Sequence, residues 1–143
     1  MRERGWRRGL EAHGLTGRVV NSELTSTAGD AAAAALLAER ADTTALLCAN
    51  DTLALGAIAA CKRAGRGVGV RGGVAVIGYG NTEPGRYADP PLTTIDYSLE
   101  DNGRHLAEML LQRLSGGATH EPPPHRLEPV RLIPRSSDLH TFD

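Results

Sequence analysis

Polar groups lie at or shortly after the ends of four predicted strands: Asn21, Asn50, Gly80-Asn81 and Asp96-Tyr97. An asparagine side chain offers two hydrogen-bond donors and one acceptor, which suits two neighbouring hydroxyls or an amide of a small ligand. Parallel strands place their carboxyl ends at one edge of a sheet, and ligands usually bind in the crevice beside that edge. We therefore expect these residues to converge on one binding crevice.

Catalytic, metal and nucleotide motifs are absent from the sequence. The serines have no GxSxG setting, and the five histidines have neither metal-ligand spacing nor an obvious acidic partner. The pair Glu100-Asp101 stands at a predicted helix start, where the helix dipole accounts for it. There is no GxxxxGK[ST], and residues 78–80 form a lone GxG without a following helix. The sequence predicts a binding protein without metal or cofactor rather than an enzyme.

Composition limits the class of protein further. The chain has 143 residues, of which 41% are hydrophobic and 23% charged, as in one globular domain. Aromatic residues make up 3%, so we expect close packing of small aliphatic side chains. The net charge of -1 argues against a broad field that attracts nucleic acid or an anionic membrane.

Cysteine use and hydropathy indicate a cytoplasmic protein. Cys48 and Cys61 fall in apolar segments without a CxxC motif, so we expect small buried side chains in a reducing compartment. No apolar run is long enough to cross a membrane, and the N-terminus lacks the apolar core of a secretory signal.

Helical and strand patterns alternate along the chain. The sequence predicts four helices: residues 1–13, a helix that follows a capping box at Thr27 and Asp30, residues 51–64, and a helix from Ser98 to 115. It predicts strands at 18–21, 45–49, 74–77, 92–95 and 127–133, of which 45–49 should be buried. Pro129 places the last strand at an edge, and the tail from Arg135 should fray. The alternation predicts an α/β fold with an open, mostly parallel sheet and helices on both faces.

The segment 45–65 is central to this prediction, because it turns from strand to helix at Asn50-Asp51. Asp51 is a good helix cap, which leaves Asn50 for a ligand. The helix is apolar on two sides, with Leu55 and Ala59 opposite the main apolar face. Such a helix commonly has a second packing partner.

A family resemblance rests on several motifs in order: RERGWRRGLEAHGL, ANDTLALGA, VAVIGYGNTE and DPPLTTID, followed by an amphipathic helix. Together they resemble the effector-binding core of the LacI/GalR family of bacterial transcriptional regulators, over residues 2–133. The resemblance implies a periplasmic-binding-protein-like fold, in which two α/β subdomains close on a ligand and a helix-turn-helix head precedes them.

The resemblance also implies that this chain corresponds to the C-terminal part of such a protein. Residues 1–135 would be an incomplete effector-binding and dimerisation domain, with residues 1–96 and 125–135 in the C-terminal subdomain and 136–143 as a frayed tail. The helix within 97–116 would belong to an absent N-terminal subdomain and would expose its leucines. We therefore expect a part of a longer protein, a truncated product, or a swapped or partnered assembly.

Site residues carried over from the family are Arg2, which matches an arginine that reaches the effector, and Asn50, its polar partner. Gly80 stands where many members have an aspartate for sugar hydroxyls. Leu24 stands near a ring that contacts the sugar in the best-known member, and Tyr97 replaces a polar side chain there. The loss of the aspartate and of the ring argues against a simple hexose as the effector. Another small polar metabolite is the alternative, with Asn81 or Tyr97 supplying the ligand contacts that are lost.

The resemblance further implies a homodimer built partly by the helix after Asn-Asp and by the loop before Pro-Pro-Leu; this assigns Leu55, Ala59, Tyr87 and Ala88 to the dimer interface. The leading hypothesis is a regulator that senses a sugar or other small polar metabolite and contacts an operator only through a head absent from this chain. The alternative is a sugar-binding protein of a transport system that shares the fold.

Overall fold

The computed structural model describes residues 2–115 and 129–138. Its helices are α1 Arg2–Ala12, α2 Ser26–Glu39, α3 Asp51–Arg63, α4 Glu83–Arg86 and α5 Leu99–Leu114, and its strands are β1 Ala45–Leu47, β2 Ala75–Tyr79, β3 Thr93–Asp96 and β4 Arg131–Ile133. The start of the strand predicted at 127–133 and the end of the tail, 139–143, lie outside the described residues.

The four strands form one open sheet in the order β1-β2-β3-β4. β1 pairs with β2 and β2 with β3 in parallel, whereas β4 runs antiparallel to β3. The predicted α/β class with an open, mostly parallel sheet is confirmed, and so is the edge position of the strand after Pro129. The short helix α4 within the loop after β2 was not predicted.

β1 is not the buried strand that its apolar sequence predicted. The side chain of Leu47 is 52% exposed, and only Leu46 packs partly against the core. The reason is position, because β1 pairs only with β2 and its other edge carries no strand among the described residues. The strand predicted at 18–21 is wrong as well; this segment is irregular and mostly exposed.

The core lies between α3, the sheet and α2. Small residues allow a very close approach of the two helices: a Cβ at Gly56 would lie 2.0 Å from the backbone oxygen of Ser26, and a Cβ at Gly29 would lie 2.4 Å from that of Leu53. Ala54, Ala57, Ile58 and Cys61 of α3 are buried there. This confirms the close packing expected from the low aromatic content, and it shows that α2 is one partner of the two-sided helix α3.

Helix caps differ from the predicted ones. α2 begins two residues earlier than expected, because Thr25 rather than Thr27 is the N-cap residue, and Thr25 Oγ1 accepts a hydrogen bond from the amide of Ala28 at 3.1 Å. Ser98 precedes α5 with a left-handed φ of 51° and makes no side-chain capping bond. The capping box predicted at Thr27 is therefore wrong, whereas the helix start predicted at Ser98 is correct although its side chain does not cap the helix. Serine and threonine patterns mark the neighbourhood of a helix start better than its exact residue.

The chain after β4 is packed rather than frayed as far as Asp138. Ser137 is fully buried; its Oγ donates to the carbonyl of Val76 at 2.6 Å and accepts from the amide of Thr93 at 2.8 Å. The carbonyl of Ser137 also accepts from the amide of Val76 at 2.9 Å. The fraying expected from Arg135 onward is wrong for residues 135–138, because these bonds tie the segment to β2 and β3.

α5 extends from the sheet with its leucines in solvent. Four leucines at helical spacing form an apolar stripe along α5, and each is more than half exposed, as expected: Leu99, Leu106, Leu110 and Leu114. No residue of α5 is buried. Within residues 2–115 and 129–138, no helix is long and apolar enough to cross a membrane.

Candidate ligand-binding cleft

Three side chains form a layered cluster beside the carboxyl ends of β1, β2 and β3. The rings of Tyr79 and Tyr97 stack with centroids 5.1 Å apart and an interplanar angle of 17°. The guanidinium of Arg2 lies over the Tyr79 ring, 4.6 Å from its centroid, and donates to the carbonyl of Ala49 at 2.8 Å. A cation on an aromatic face is attracted by the ring quadrupole, so the three groups hold one another in place. We call this cluster the Arg2–tyrosine stack.

Asn50 follows β1 at the same edge and caps α3. Its Oδ1 accepts a hydrogen bond from the amide of Leu53 at 2.8 Å, and its backbone is extended. The cap uses the acceptor oxygen of the side chain and leaves the two N–H donors of Nδ2 available to a ligand, since Asn50 is only partly buried. Asn50, and not Asp51 as predicted, is the cap residue of this helix.

Asp51 is instead a fully buried acceptor for three donors. Its Oδ2 accepts from the amide of Thr82 at 2.7 Å and from Thr82 Oγ1 at 3.0 Å, and its Oδ1 accepts from Thr94 Oγ1 at 2.5 Å. The residue is 1% exposed. Gly78 makes room for it, since a Cβ at that glycine would lie 2.3 Å from Asp51 Oδ1. The carboxylate thus joins the start of α3 to β3 and to the loop after β2.

The loop 80–82 crosses the cleft edge between β2 and α4. Gly80 has a φ of 140° and Asn81 a φ of 52°. The Asn81 side chain is bonded on both sides: Oδ1 accepts from Arg135 at 2.5 Å and Nδ2 donates to Asp96 Oδ2 at 3.4 Å. Asn81 therefore has its side chain engaged with the protein in this structure, which differs from the free ligand contact suggested by the sequence.

Two further predicted site residues, Gly80 and Leu24, lie in more open surroundings. Beside Gly80 is a polar hollow, lined by Gly80, Asn81, Thr82, Asp96, Ser98, Glu100, Asp101 and Arg131. Leu24 is 61% exposed in the segment before α2, and no contact found among the described residues joins it to the Arg2–tyrosine stack. The structure thus brings Arg2, Asn50, Gly80, Asn81 and Tyr97 to one edge of the sheet, while Leu24 stands apart from the stack.

The residues predicted for a dimer interface lie on α3 and beyond α4. Leu55 is half-buried and Ala59 exposed on α3; Tyr87 is 77% exposed, and Ala88 is half-buried. An ion pair between Lys62 and Asp89, 2.6 Å apart, joins the two segments. The four residues thus belong to neighbouring parts of the surface.

Both cysteines are in poor positions for reaction. Burial raises the pKa of the Cys48 thiol to about 12, helped by the nearby Cys61 and Asp51. Burial also raises the pKa of Cys61, which is fully buried, although Arg66 opposes the shift. Only the thiolate attacks disulfides and alkylating agents, so both thiols should be inert at neutral pH.

A thiol titration checks this expectation. At pH 8, where a thiol of pKa about 12 is almost wholly protonated, both thiols of the native chain should react with Ellman's reagent far more slowly than in 6 M guanidinium chloride. Raising the pH toward 10 should accelerate the native reaction, because the thiolate fraction increases. Fast reaction of either thiol at pH 7 in the folded chain would contradict the burial seen here.

Sequence reasoning missed Tyr79, Thr82, Thr94 and Arg135 as parts of the cleft edge. Tyr79 was considered only within a glycine motif, although an aromatic residue at a strand end is a common ligand contact. The signal for Thr94 was weak, since threonine is common in strands for reasons of propensity alone.

Comparison with known proteins agrees with the fold and the motifs. A family model described as a periplasmic binding protein-like domain matches residues 1–137. The HTH-type transcriptional regulator CelR of Thermobifida fusca is 33% identical over 135 residues, covering 92% of this chain and 37% of CelR. The HTH-type transcriptional repressor CytR of Escherichia coli K12 is 34% identical over 119 residues, covering 83% of this chain and 34% of CytR.

Solved structures give the same result. The lac repressor dimer bound to operator and an anti-inducer superposes with a TM-score of 0.86 at 31% identity, covering 97% of this chain and 41% of the repressor chain. A complex of CelR with cellobiose superposes with a TM-score of 0.85 at 32% identity, covering 95% of this chain and 41% of CelR. The chain spans well under half the length of these relatives. It belongs to the periplasmic-binding-protein-like domain family, in the form found in LacI/GalR-type regulators.

Proposed function

We propose that this chain is the effector-binding and dimerising portion of a LacI-type, DNA-binding transcriptional regulator that senses a sugar or a related small polar metabolite in the cytoplasm. The observation that carries the proposal is the Arg2–tyrosine stack beside Asn50 at the carboxyl ends of the parallel strands. A sugar ring has apolar faces and a polar rim. Aromatic rings match the faces, and amide or guanidinium donors match the rim.

Within this proposal the residues have separate roles. Tyr97 offers an aromatic surface to the ligand, and the Nδ2 donors of Asn50 bond ligand hydroxyls while its Oδ1 remains the helix cap. Arg2, which lies over the Tyr79 ring of the stack, donates hydrogen bonds to the polar rim of the ligand. Gly80 contributes space rather than a bond, and it lacks the carboxylate that would bind hydroxyls of a simple hexose.

The regulatory part of the proposal concerns the intact protein. Leu55, Ala59, Tyr87 and Ala88 would contribute to a homodimer, and an N-terminal head outside this chain would contact the operator. Residues 1–135 would form the effector-binding domain, with α5 packing against a further subdomain. Ligand closure would favour one arrangement of the two heads and so change operator affinity. Relatives in which a regulator binds operator or cellobiose support this assignment.

Ligand-detected NMR and calorimetry on the 143-residue chain test the binding site. The panel includes cellobiose and lactose, the sugars present in two of the related structures, with nucleosides for comparison. We expect a sugar to bind, Tyr97→Ala to weaken binding by about fivefold through loss of ring contact, and Tyr87→Ala to leave it unchanged. Tyr87 is the matched control because it is exposed and outside the stack.

Asn50→Asp is the sharper variant at the helix start. Aspartate keeps the oxygen that caps α3, so stability should hold, but it removes both donors and should weaken sugar binding. Equal binding by Asn50→Asp, Tyr97→Ala and the unchanged chain would contradict this cleft as the ligand site. A gene whose product carries a secretory signal in place of a helix-turn-helix head would instead favour the transport class of sugar-binding protein.

A further inference from the structure

Two consecutive residues of the loop at the cleft edge have unusual backbone angles. Gly80 has a φ of 140° and Asn81, which has a side chain, has a φ of 52°. Left-handed conformations of residues other than glycine carry a cost and persist only where the surroundings impose them. The loop 80–82 must therefore be held by contacts from outside itself.

One side of the loop is held by Asp51. The carboxylate accepts both the amide and the hydroxyl of Thr82, at 2.7 and 3.0 Å. It is itself fixed at the start of α3 and is fully buried. These bonds hold the loop at Thr82 but leave Asn81 without a charged partner on that side.

Arg135 holds the other side. One guanidinium nitrogen donates to Asn81 Oδ1 at 2.5 Å, and the other donates to the carbonyl of Leu92 at 2.7 Å. The backbone amide of Arg135 donates to Thr93 Oγ1 at 2.8 Å. A planar guanidinium with two such bonds has a defined direction, which a single flexible ammonium would not have.

The backbone at Arg135 is also held in place by the two bonded residues that follow it, Ser137 and Asp138. Ser137 is buried and bonded to β2 and β3, and Asp138 accepts a hydrogen bond from Thr93 Oγ1. Arg135, Ser137 and Asp138 thus bind the segment after β4 to the sheet. The C-terminal segment 135–138 thus connects the sheet interior with the cleft loop through one arginine side chain.

The position of the loop controls the shape of the cleft. Gly80 directly follows Tyr79 of the Arg2–tyrosine stack and borders the polar hollow. A rotation at Asn81 would move Gly80 and change both the hollow and the surroundings of Tyr79. The side chain of Asn81 is bonded to Arg135 and Asp96, and these bonds restrain that rotation together with the bond from the Asn81 amide to Thr94 Oγ1 at 3.3 Å.

We propose that Arg135 is a positioning residue for the cleft: together with Asp51 it clamps the loop 80–82 and keeps the polar hollow beside Gly80 open. The role of this clamp in ligand selection rests on the proposed function, whereas the clamp itself does not. Arg135 acts on ligand only through Asn81 and Gly80.

Arg135→Met tests the clamp, because methionine keeps an unbranched apolar stem and removes every donor of the side chain. Arg63→Met is the matched control; it removes the same side chain, but Arg63 bonds the carboxylate of Asp30, at 2.5 Å, in an exposed ion pair on α3. The backbone amide of Asn81 donates to Thr94 Oγ1 at 3.3 Å, and NMR measures its hydrogen exchange. This exchange should be about tenfold faster in Arg135→Met, because the loop loses its charge-assisted bond to the Asn81 side chain. The amide of Ala75, which bonds the carbonyl of Thr44, is the internal reference.

Fluorotyrosine NMR gives a second readout, because the chain has three tyrosines. In Arg135→Met the resonances of Tyr79 and Tyr97 should shift, while that of the exposed Tyr87 should not. Arg63→Met should leave all three in place. Arg135→Lys should restore protection at Asn81 only in part, since an ammonium on a flexible stem lacks the rigid fork that directs one donor to Asn81 Oδ1 and another to the carbonyl of Leu92.

The proposal is overturned if Arg135→Met leaves Asn81 exchange and the Tyr79 and Tyr97 resonances as in Arg63→Met. It is also overturned if Asn81 and Ala75 lose protection equally, because that result indicates general destabilisation. Neither readout needs a ligand, so a chain that binds no sugar would refute the proposed function and leave this result standing.

Discussion

Gly56→Ala is expected to destabilise the chain by about 3 kcal/mol, at the upper end of the cost of overpacking a core. The added Cβ would lie 2.0 Å from the carbonyl oxygen of Ser26 and 2.6 Å from the amide nitrogen of Asp30. Both atoms belong to the backbone of α2 and cannot turn away as a side chain could. The helices α2 and α3 must separate, which opens the contact that buries Ala33 and Ala57.

Gly103→Ala is the matched control, since Gly103 lies inside α5 and a Cβ there meets nothing within 4 Å. Alanine should stabilise that helix, because glycine is the poorer helix former by about 1 kcal/mol. Urea unfolding followed by circular dichroism measures both variants. A result in which Gly56→Ala is as stable as Gly103→Ala would show that the helices do not approach each other as described.

Asp51→Ala is expected to cost about 3 to 5 kcal/mol, as when one member of a buried polar network is removed. The change would leave the amide and hydroxyl of Thr82 and the hydroxyl of Thr94 without their acceptor. Asp51→Asn should cost less but still be severe. An amide has one acceptor oxygen, so its NH₂ group would face either the Thr82 donors or the Thr94 hydroxyl.

The control for charge alone is Asp89→Asn, at the exposed end of the ion pair with Lys62. The Asp89 side chain is 93% exposed, and a pair in that setting contributes roughly 0 to 1 kcal/mol. Urea midpoints of the three variants should therefore separate clearly. If Asp51→Asn were as mild as Asp89→Asn, the buried carboxylate would not be an essential acceptor, and the clamp on the loop 80–82 would lose one of its sides.

The order of helices and strands was largely predictable, because it depends on local pattern. The apolar run at 45–49, the turn at Asn50-Asp51 and the helical spacing up to Gly65 predicted β1 and α3 within two residues at each end. Gly65 has a φ of 68°, as expected for a glycine that ends a helix. The leucine spacing of α5 and the edge position after Pro129 followed from local pattern in the same way.

Burial was less predictable, because it depends on neighbours that are distant in the chain. The run at 45–49 is apolar enough for a central strand, yet Leu47 is half exposed at an edge of the sheet. Residues 135–138 looked like a polar tail, yet Ser137 is buried because backbone groups of β2 and β3 satisfy its hydroxyl.

The sequence by itself determined the alternation of elements, the placement of polar residues at the carboxyl ends of the strands and the resemblance to LacI/GalR-type regulators. Tertiary structure alone decided how Asn50 and Asp51 divide their roles. Either side chain can cap a helix, so local chemistry could not choose. Donors from Thr82 and Thr94, which are 31 and 43 residues away, occupy Asp51 and leave the cap to Asn50. The Arg2–tyrosine stack and the arginine clamp exist only because the fold brings distant residues within bonding distance.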